Sequence, residues 1–480
     1  MAFIRKVKTA SGATAVQVAQ KEYGRIVKIE HIGSAHTKKD LETLLAVAKQ
    51  KLLGGQRFLF EERFPPLTVS LRQPVSRLLL ELLIEQYNRL GFNCLDDDIF
   101  AYLCVVRIVE PTSKLDSLRV LADLGKTGID RNKLYRCLNQ IIDKDYRNTI
   151  TRQCFSHAAK GISLVLYDVT SLYFEVQEED NYRKSGMSKE RRLEPQIIVG
   201  LLVDQSGFPL GLHSFEGNTA ETNTILPVIE AFKRQHSLEN ITVVADAAML
   251  SRKNLEALSN AGYTYIVGSR LQKIPYDIAE YRKIGELTDK QIITTEIDGQ
   301  RIIYQYREKR AALDMRNIEK QITKAKKIIS GKTTDKKAKF LKLKTKEKKL
   351  NQLLIDKAKA LAGIKGYVTN LDLPDEQIIL SYHQLWHVEQ SFRMSKYDLK
   401  ARPIFHHKRD SIEAHLTIVL AALAIGNVIE NNTGMSIKRF VRTIRPIRSG
   451  IVLINGNEHH AEAEISTDIK SLMRKLRSGH

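Results

Sequence analysis

Along the 480 residues the apolar positions change period several times. From residue 1 to about 72 they form short alternating runs, Ala15–Ala19 and Gly24–His31. The Tyr23–Gly24 break between these runs predicts a β-hairpin, and a helical repeat follows over Lys39–Leu53. Between about Val75 and Ala158 the spacing predicts helices over Leu78–Leu90, Asp96–Val109, Lys114–Leu124 and Asn132–Ile142. Gly91, Pro111, Gly125 and Gly128 punctuate their connections. The period then becomes that of strands, over Ile162–Tyr167, Ile197–Val203, Pro209–Phe215, Ile241–Ala245 and Tyr263–Val267. The first, second and fourth are near-continuously apolar, as in strands buried on both faces. Asp204–Gly207 reads as the turn of a hairpin. One helix fits Thr224–Arg234, and another begins after Asp246, with Ser251 as N-cap and Gly262 at its end.

Three strands, helix, strand, helix, strand is the order of the ribonuclease H-like fold, so the expected class is α/β with a mixed-sheet core. The next helix of that order is delayed. A hairpin (Gln291–Glu296, Arg301–Tyr306) and a helical stretch over 308–362, broken at Ser330–Gly331, come first. The core is expected to resume with a strand at Gly366–Leu371 and helices at Glu376–Tyr397 and Ser411–Ile429. The expected organisation is a small β/α region (1–72), an α-rich candidate DNA-binding domain (73–158) and a core in two parts (159–271 and 365–431). A Lys-rich hairpin-plus-helical insertion (272–364) separates those parts, and a basic C-terminal tail (432–480) closes the chain.

Composition narrows the partner. A formal net charge of +21 and a pI near 9.6, on a chain 43% hydrophobic and 27% charged, point to a globular protein with a polyanionic partner, nucleic acid before membrane. No run of 18 apolar residues occurs, and Leu416–Ile425 reads as a buried helix. Met1–Lys8 lacks an apolar signal core, so secretion is not expected. Cys94, Cys104, Cys137 and Cys154 have neither CxxC spacing nor a paired His motif and read as buried thiols in a reducing cytoplasm. Between Lys320 and Ala360 there are 15 lysines against three acids, with a thin apolar stripe of Leu341, Leu343, Leu350, Leu353 and Leu354. A solvated helical hairpin would look the same, but the sign bias favours contact of Lys336, Lys337, Lys339 and Lys342 with a DNA backbone. Arg119, Arg131, Lys133 and Arg136 suit either a helix-turn-helix reader or a plain helical packing domain.

Candidate chemistry rests on acids. Asp168 and Asp246 each follow a buried strand, which puts them at the sheet's rim, although strand-end aspartates often only cap the next turn. Tyr382, Glu389 and Lys396 recur at intervals of seven, two helical turns, and are expected on one face of one helix. Three carboxylates brought together would repel one another, and two divalent ions would neutralise them. All-oxygen ligands favour Mg²⁺ or Mn²⁺. One ion would activate a water or hydroxyl, and the other would stabilise the leaving oxygen of an in-line phosphoryl displacement. Glu216, Glu221 and Glu413 (beside His415) are alternative ligands. His383 and His387 have i, i+4 zinc-binding spacing but no third ligand, and read as packed or DNA-facing. His406–His407 read as loop histidines touching DNA. Trp386, the single tryptophan, is expected in core packing, with stacking on an extruded base as the alternative.

The stretches LVLYDVTSLYFE, VVADAAMLSRKNLEAL and YHQLWHVEQSFRMSKYDLKARPIFHHKRDSIEAHL, with the order Asp168, Asp246, Glu389, resemble a bacterial insertion-sequence DDE transposase. The branch resembled carries a Tyr-Arg-Glu-Lys signature. Tyr382, Glu389 and Lys396 fall at its spacings, while Leu385 stands at the arginine position and Arg393 lies one turn beyond the glutamate. The resemblance covers about 160–430 and includes the large insertion before the third acid. It implies hydrolysis at a transposon end, then attack of the freed 3′-hydroxyl on target DNA. Asp168, Asp246 and Glu389 would hold two Mg²⁺ or Mn²⁺ ions, and Lys396 and Tyr382 would position phosphate with help from Arg393. It also implies double-stranded element ends and target DNA as partners, a homodimer or larger synaptic complex, and a nucleoid-associated protein of bacterial or archaeal cytoplasm. A related nuclease that cuts without joining is the nearest alternative. An inactive DNA-binding descendant is another, against which the presence of all three acids argues.

Overall fold

The computed structural model describes residues 2–10, 12–53, 69–71, 74–158, 163–175, 178–186, 194–238, 240–247, 251–269, 271, 275–297, 300–332, 338–342, 349–454 and 457–478. The chain forms two compact units, residues 1–70 with 453–457, and residues 71–452 with 458–480.

In the first unit, β1 (Ala2–Lys8), β2 (Thr14–Glu22) and β3 (Arg25–Ala35) make an antiparallel sheet. The expected hairpin is β2–β3. Tyr23 and Gly24, at φ 44° and 84°, form a two-residue turn whose twist matches the strands. Helix α1 (Lys38–Leu53) covers this sheet, and Leu44 sits against Gly33, where a Cβ would lie 2.8 Å from it.

The second unit starts with α2 (Arg77–Arg89), α3 (Asp98–Val109), α4 (Ser117–Asp123), α5 (Arg131–Asp143) and α6 (Tyr146–Ala158). The last of these was not anticipated, because its apolar residues are few. A sheet follows, built from β4 (Leu164–Tyr173), β5 (Gln196–Val203), β6 (Pro209–Glu216), β7 (Thr242–Ala245) and β8 (Thr264–Ser269). Helices α7 (Ile225–His236) and α8 (Arg252–Asn260) flank β7 in sequence. Then come α9 (Tyr276–Ile284), β9 (Ile292–Ile297), β10 (Gln300–Tyr306), α10 (Glu308–Ile329), α11 (Gln352–Ala360) and β11 (Ile364–Thr369). The chain continues through α12 (Asp375–His383), α13 (Trp386–Arg393), α14 (Arg409–Thr433), α15 (Ile437–Ile444) and α16 (Thr467–Ser478).

The spatial order is β9-β10-β11-β8-β7-β4-β5-β6. β7 is parallel to β4 and to β8, and the remaining pairs are antiparallel. The β6-β5-β4-β7-β8 portion, with helices joining β6 to β7 and β7 to β8, is the ribonuclease H-like arrangement anticipated from the strand pattern. All eight residues of β5 are buried, as a strand covered on both faces requires.

Three expectations need correction. The hairpin β9–β10 does not stand apart, since β10 pairs with β11 from Arg301↔Thr369 to Tyr306↔Ile364 and extends the main sheet. The stretch after it breaks at Ser330–Gly331 as expected, with Gly331 at φ 69°, but it is not helical beyond the break, where Leu341–Lys342 pairs with Lys349–Leu350 before α11. These pieces close a small core of their own around Ile318, Ala325, Ile328, Phe340 and Ile355. The single helix expected over 376–397 is three pieces. Hydrogen bonds of the i→i−3 kind, Leu385 N to Tyr382 O (3.1 Å) and His387 N to Gln384 O (2.9 Å), tighten the chain between α12 and α13. A π-helical turn, Met394–Asp398, then replaces the last α turn.

Helix α14 is the packing centre of this unit. It is long and apolar enough to cross a membrane, but 94% of its most apolar window is buried, against α2, α3, α5, α6 and β6. One partly buried ion pair locks α6 to it. Arg147 Nη1 meets Glu413 Oε2 at 2.6 Å, and Arg147 Nη2 donates to the Glu413 carbonyl at 2.6 Å. Tyr182 Oη and Ser214 Oγ donate to Glu413 Oε1 at 2.6 and 2.7 Å. Burial pushes the Glu413 carboxyl up, but Arg147 and the two hydroxyls outweigh it and hold it below its ordinary 4.5. A depressed carboxylate stabilises the fold above its unfolded pKa and loses that contribution as pH falls through the folded value. Glu413→Gln should therefore cost about 3–5 kcal/mol at neutral pH, read by urea unfolding, because Arg147 is left uncompensated. The gap to the wild type should shrink below pH 4.5. A loss under about 1 kcal/mol at pH 7 would show that the pair is solvent-screened.

Candidate active site

The register of the two central parallel strands builds the site. Leu164 lies beside Thr242 and the pairing runs in step to Tyr167 beside Ala245. The next residue on each chain is an aspartate, so Asp168 and Asp246 leave the paired segment side by side. Asp168 is half-buried and continues in β4, opposite Leu201 of β5, while Asp246 is exposed where β7 ends.

Tyr382, at the end of α12, donates its hydroxyl to Asp246 Oδ1 at 3.1 Å. Gly268 on β8 makes room for it, since a Cβ there would lie 2.6 Å from the phenol oxygen. Burial raises the Tyr382 phenol's pKa, and the Asp246 and Asp168 carboxylates raise it further, so this hydroxyl stays a donor. Lys365 on β11 sits with its ammonium 4.3 Å from the Tyr382 ring centroid. Burial and Arg310 lower the Lys365 pKa, against the opposing pull of Asp246 and Glu389. Lys365 thus feels both acids. Sequence reasoning missed it, because a lysine inside the run IKGYVT gives no signal beyond a polar break in a strand.

Glu389 is exposed on α13, which packs on β4 and β5. Its helix is fixed by the β5–β6 turn. The Gly207 carbonyl accepts from Ser391 Oγ (2.8 Å) and from Asn427 Nδ2 of α14 (3.1 Å). Gly207 itself has φ 88°, and a Cβ on it would be 3.1 Å from that of His387.

Tyr382, Glu389 and Lys396 do not share one helical face. Tyr382 is buried on α12, Glu389 lies past the break on α13, and Lys396 is half-buried in the π turn. Arg393 lines a cleft of about 340 Å³ with Tyr397, Asp398 and Glu430. Among the described residues no three His, Cys, Asp or Glu side chains converge closely enough to share an ion. Asp168 and Asp246 are neighbours, and Lys365 is within electrostatic reach of Asp246 and of Glu389.

The alternatives sort out by their partners. Glu413 is committed to Arg147, and Glu216 pairs with Lys184 at 2.6 Å. Glu221 acts with Asp168 on the buried Tyr167 phenol. The break between α12 and α13 separates His383 from His387, whose ring lies 3.9 Å from that of Trp386. Trp386 is not in the core, being 54% exposed. Cys94 is exposed, and the other three cysteines are buried free thiols. Lys336 and Lys337 lie outside the described residues, as does the Lys342 side chain. Lys339 rests its ammonium 5.6 Å from the Phe340 ring. Of the basic residues on the early helices, Arg119 is paired with Glu110 and Asp116, and Lys133 donates to Gly128 O at 3.2 Å. In the segment expected as a basic tail, Arg445 and Arg448 are tied to Asp123.

Gly207→Ala tests how Glu389 is held. Its left-handed backbone and the His387 contact should together cost about 1–2 kcal/mol. Amide exchange should rise in α13 ahead of β4. Unchanged α13 protection would show that the helix is positioned by other contacts.

Against known proteins, a family model described as the transposase DDE domain matches residues 159–425. No curated protein matches in sequence. Among solved structures, a piggyBac transposase synaptic complex with hairpin DNA aligns over 78% of this chain and 82% of its own, at 11% identity and TM-score 0.41. A Mos1 transposase paired-end complex with the left transposon end aligns over 48% of this chain and 67% of its own, at 12% identity and TM-score 0.16. The family match takes in more than half of the chain, with Asp168, Asp246 and Glu389 all inside it, and the chain belongs to the DDE transposase domain family.

Proposed function

We propose that the protein is a DNA transposase that cuts the ends of its element and joins the freed 3′-hydroxyl to target DNA. The observation that carries this reading is the side-by-side position of Asp168 and Asp246 where the parallel pairing of β4 with β7 ends, within the family span, with Tyr382 donating to Asp246. The donor set fits hard divalent ions such as Mg²⁺ or Mn²⁺, because Asp168, Asp246 and Glu389 all offer carboxylate oxygens. Asp168, Asp246 and Glu389 would hold two such ions, which when bound supply an activated water or hydroxyl and charge stabilisation at the leaving oxygen.

The chain's own groups do the rest. The Tyr382 hydroxyl fixes the Asp246 carboxylate and keeps Asp246 Oδ2 turned from the phenol. Lys365 offsets part of the like charge of the three acids. Lys396 and Arg393 hold phosphate oxygens next to the scissile bond, and exposed Trp386, beside Glu389 in sequence, offers a face for a base drawn out of the helix. The charge of +21 draws duplex DNA to the surface, with the 320–360 lysines contributing backbone contacts. Concerted handling of two element ends calls for a dimer or larger synaptic complex.

The test uses plasmid DNA carrying the sequences that flank the protein's own coding region. Glu389→Gln should lose cleavage by orders of magnitude at any Mg²⁺ or Mn²⁺ concentration while still binding DNA. Lys396→Ala should lose about 1–3 kcal/mol of positioning and still respond to metal. Equal, modest losses would remove Glu389 from the site. Cleavage without joined products would favour the nuclease reading.

A further inference from the structure

A second cavity, of about 540 Å³, opens where the loop after α3 meets the segment between α13 and α14. Arg107, Lys114, Lys400 and Arg402 line it together with His406 and His415, and no acid is among its described lining residues. Arg107 and Lys114 are each only 7% exposed. Elsewhere in this unit partly buried arginines have carboxylates, as Arg147 has Glu413 and Arg445 has Glu110 and Asp123. A charge taken out of water without a counter-ion costs several kcal/mol, so a lining of this kind asks for a reason.

Its polar groups are partly spent and partly waiting. His415 Nε2 lies 3.2 Å from the Ala401 carbonyl, which can only accept, so the proton is on Nε2. His415 Nδ1 then accepts from Arg107 Nη2 at 3.5 Å, and this histidine is neutral. Arg107 Nη2 also reaches Thr112 O at 3.5 Å, while Arg107 Nε is buried with no hydrogen-bond partner. Burial, with Arg107 next, holds the Lys114 ammonium well below its ordinary 10.5. Burial, Lys114 and Arg107 push His406 down to about 4. The electrostatic need here is therefore for negative charge. Arg402 lies over the Tyr173 and Tyr397 rings, 5.5 Å from each centroid, and donates from Nη2 to Tyr397 Oη at 3.3 Å. Through Pro111 and Lys400 the cavity adjoins a larger one, about 690 Å³, whose wall carries Arg442 and the Lys438–Asp398 ion pair (2.9 Å).

We propose that this cavity is a phosphate-binding site, with Arg107, Lys114 and Arg402 as the donors to a phosphate monoester. Its volume is in the range of small-ligand sites and holds more than the phosphate alone. The monoester has two sources with the same chemistry, a free phosphate or nucleotide and the 5′-phosphate that ends a DNA strand. The site does not depend on the transposase reading, since its occupancy by phosphate involves no strand cleavage.

The experiment titrates the full chain with inorganic phosphate and with AMP by calorimetry, and with short duplexes bearing a 5′-phosphate or a 5′-hydroxyl by fluorescence anisotropy. Lys114→Met should lower phosphate and AMP affinity at least tenfold without lowering the melting temperature, because it replaces a buried unpaired cation by an apolar side chain of similar size. Arg402→Gln, at the more exposed wall, should lower affinity at least threefold and serves alone if the first variant does not fold. A fivefold or greater preference for the 5′-phosphorylated duplex, lost in either variant, assigns the site to DNA ends. Equal binding of the two duplexes, with variant-sensitive binding of phosphate or AMP, assigns it to a free monoester. Absence of phosphate and 5′-phosphate binding in the wild type, or binding that neither variant changes, overturns the proposal.

Discussion

The register between β4 and β7 is the constraint on which the rest of this structure depends. A parallel pair stepped by one residue would turn every side chain of β7 to the opposite face of the sheet, and would part Asp246 from Asp168. Val165, Leu166, Val243 and Val244 are all fully buried, so a slip would exchange the apolar groups packed on the two covered faces and is opposed along the whole pair. The hydrophobic core thus fixes the two acids without either contributing to it. Tyr382 then depends on the position of Asp246, and Lys365 on that of Tyr382, so the polar arrangement is built outward from an apolar alignment.

The second element of the site is held differently. Besides its packing on β4 and β5, α13 is tied to one carbonyl, that of Gly207, which receives hydrogen bonds from both α13 and α14. Because α14 is also the packing centre for the helices before the sheet, Glu389 and those helices are referred to the same rod. The cations near this rod divide. Partly buried Arg147 has its carboxylate and serves cohesion, whereas buried Arg107 and Lys114 have none among the described residues.

Much of this was legible in the sequence, for identifiable reasons. Near-continuous apolar runs followed by aspartate mark β4 and β7, but only Asp246 lies past its strand end; β4 runs on through Asp168 to Tyr173 because β5 keeps pairing with it. The β-hairpins followed from Tyr23–Gly24 and Asp204–Gly207, whose turn chemistry is local. What failed was set by distant contacts. The seven-residue interval from Tyr382 to Lys396 suggested one straight helix, but α12 packs against β7 and β8 while α13 packs against β4 and β5, and the chain bends between them. The β9–β10 hairpin showed as a hairpin, yet nothing in its own residues indicates that β11 is its partner. Trp386 was expected inside because tryptophans usually are, and it is outside because the tight turn before it redirects the face of α13. Lys365 carries no periodic signal at all. Its role comes from the antiparallel pairing of β8 with β11, which places it near Tyr382.

The most direct test of the central claim is anomalous scattering from crystals of the full chain grown with Mn²⁺. The account predicts an anomalous peak bounded by the carboxylates of Asp168, Asp246 and Glu389, lost when Asp246 is replaced by asparagine. A peak ligated without Glu389, or strong manganese density elsewhere with none beside Asp168 and Asp246, would contradict it.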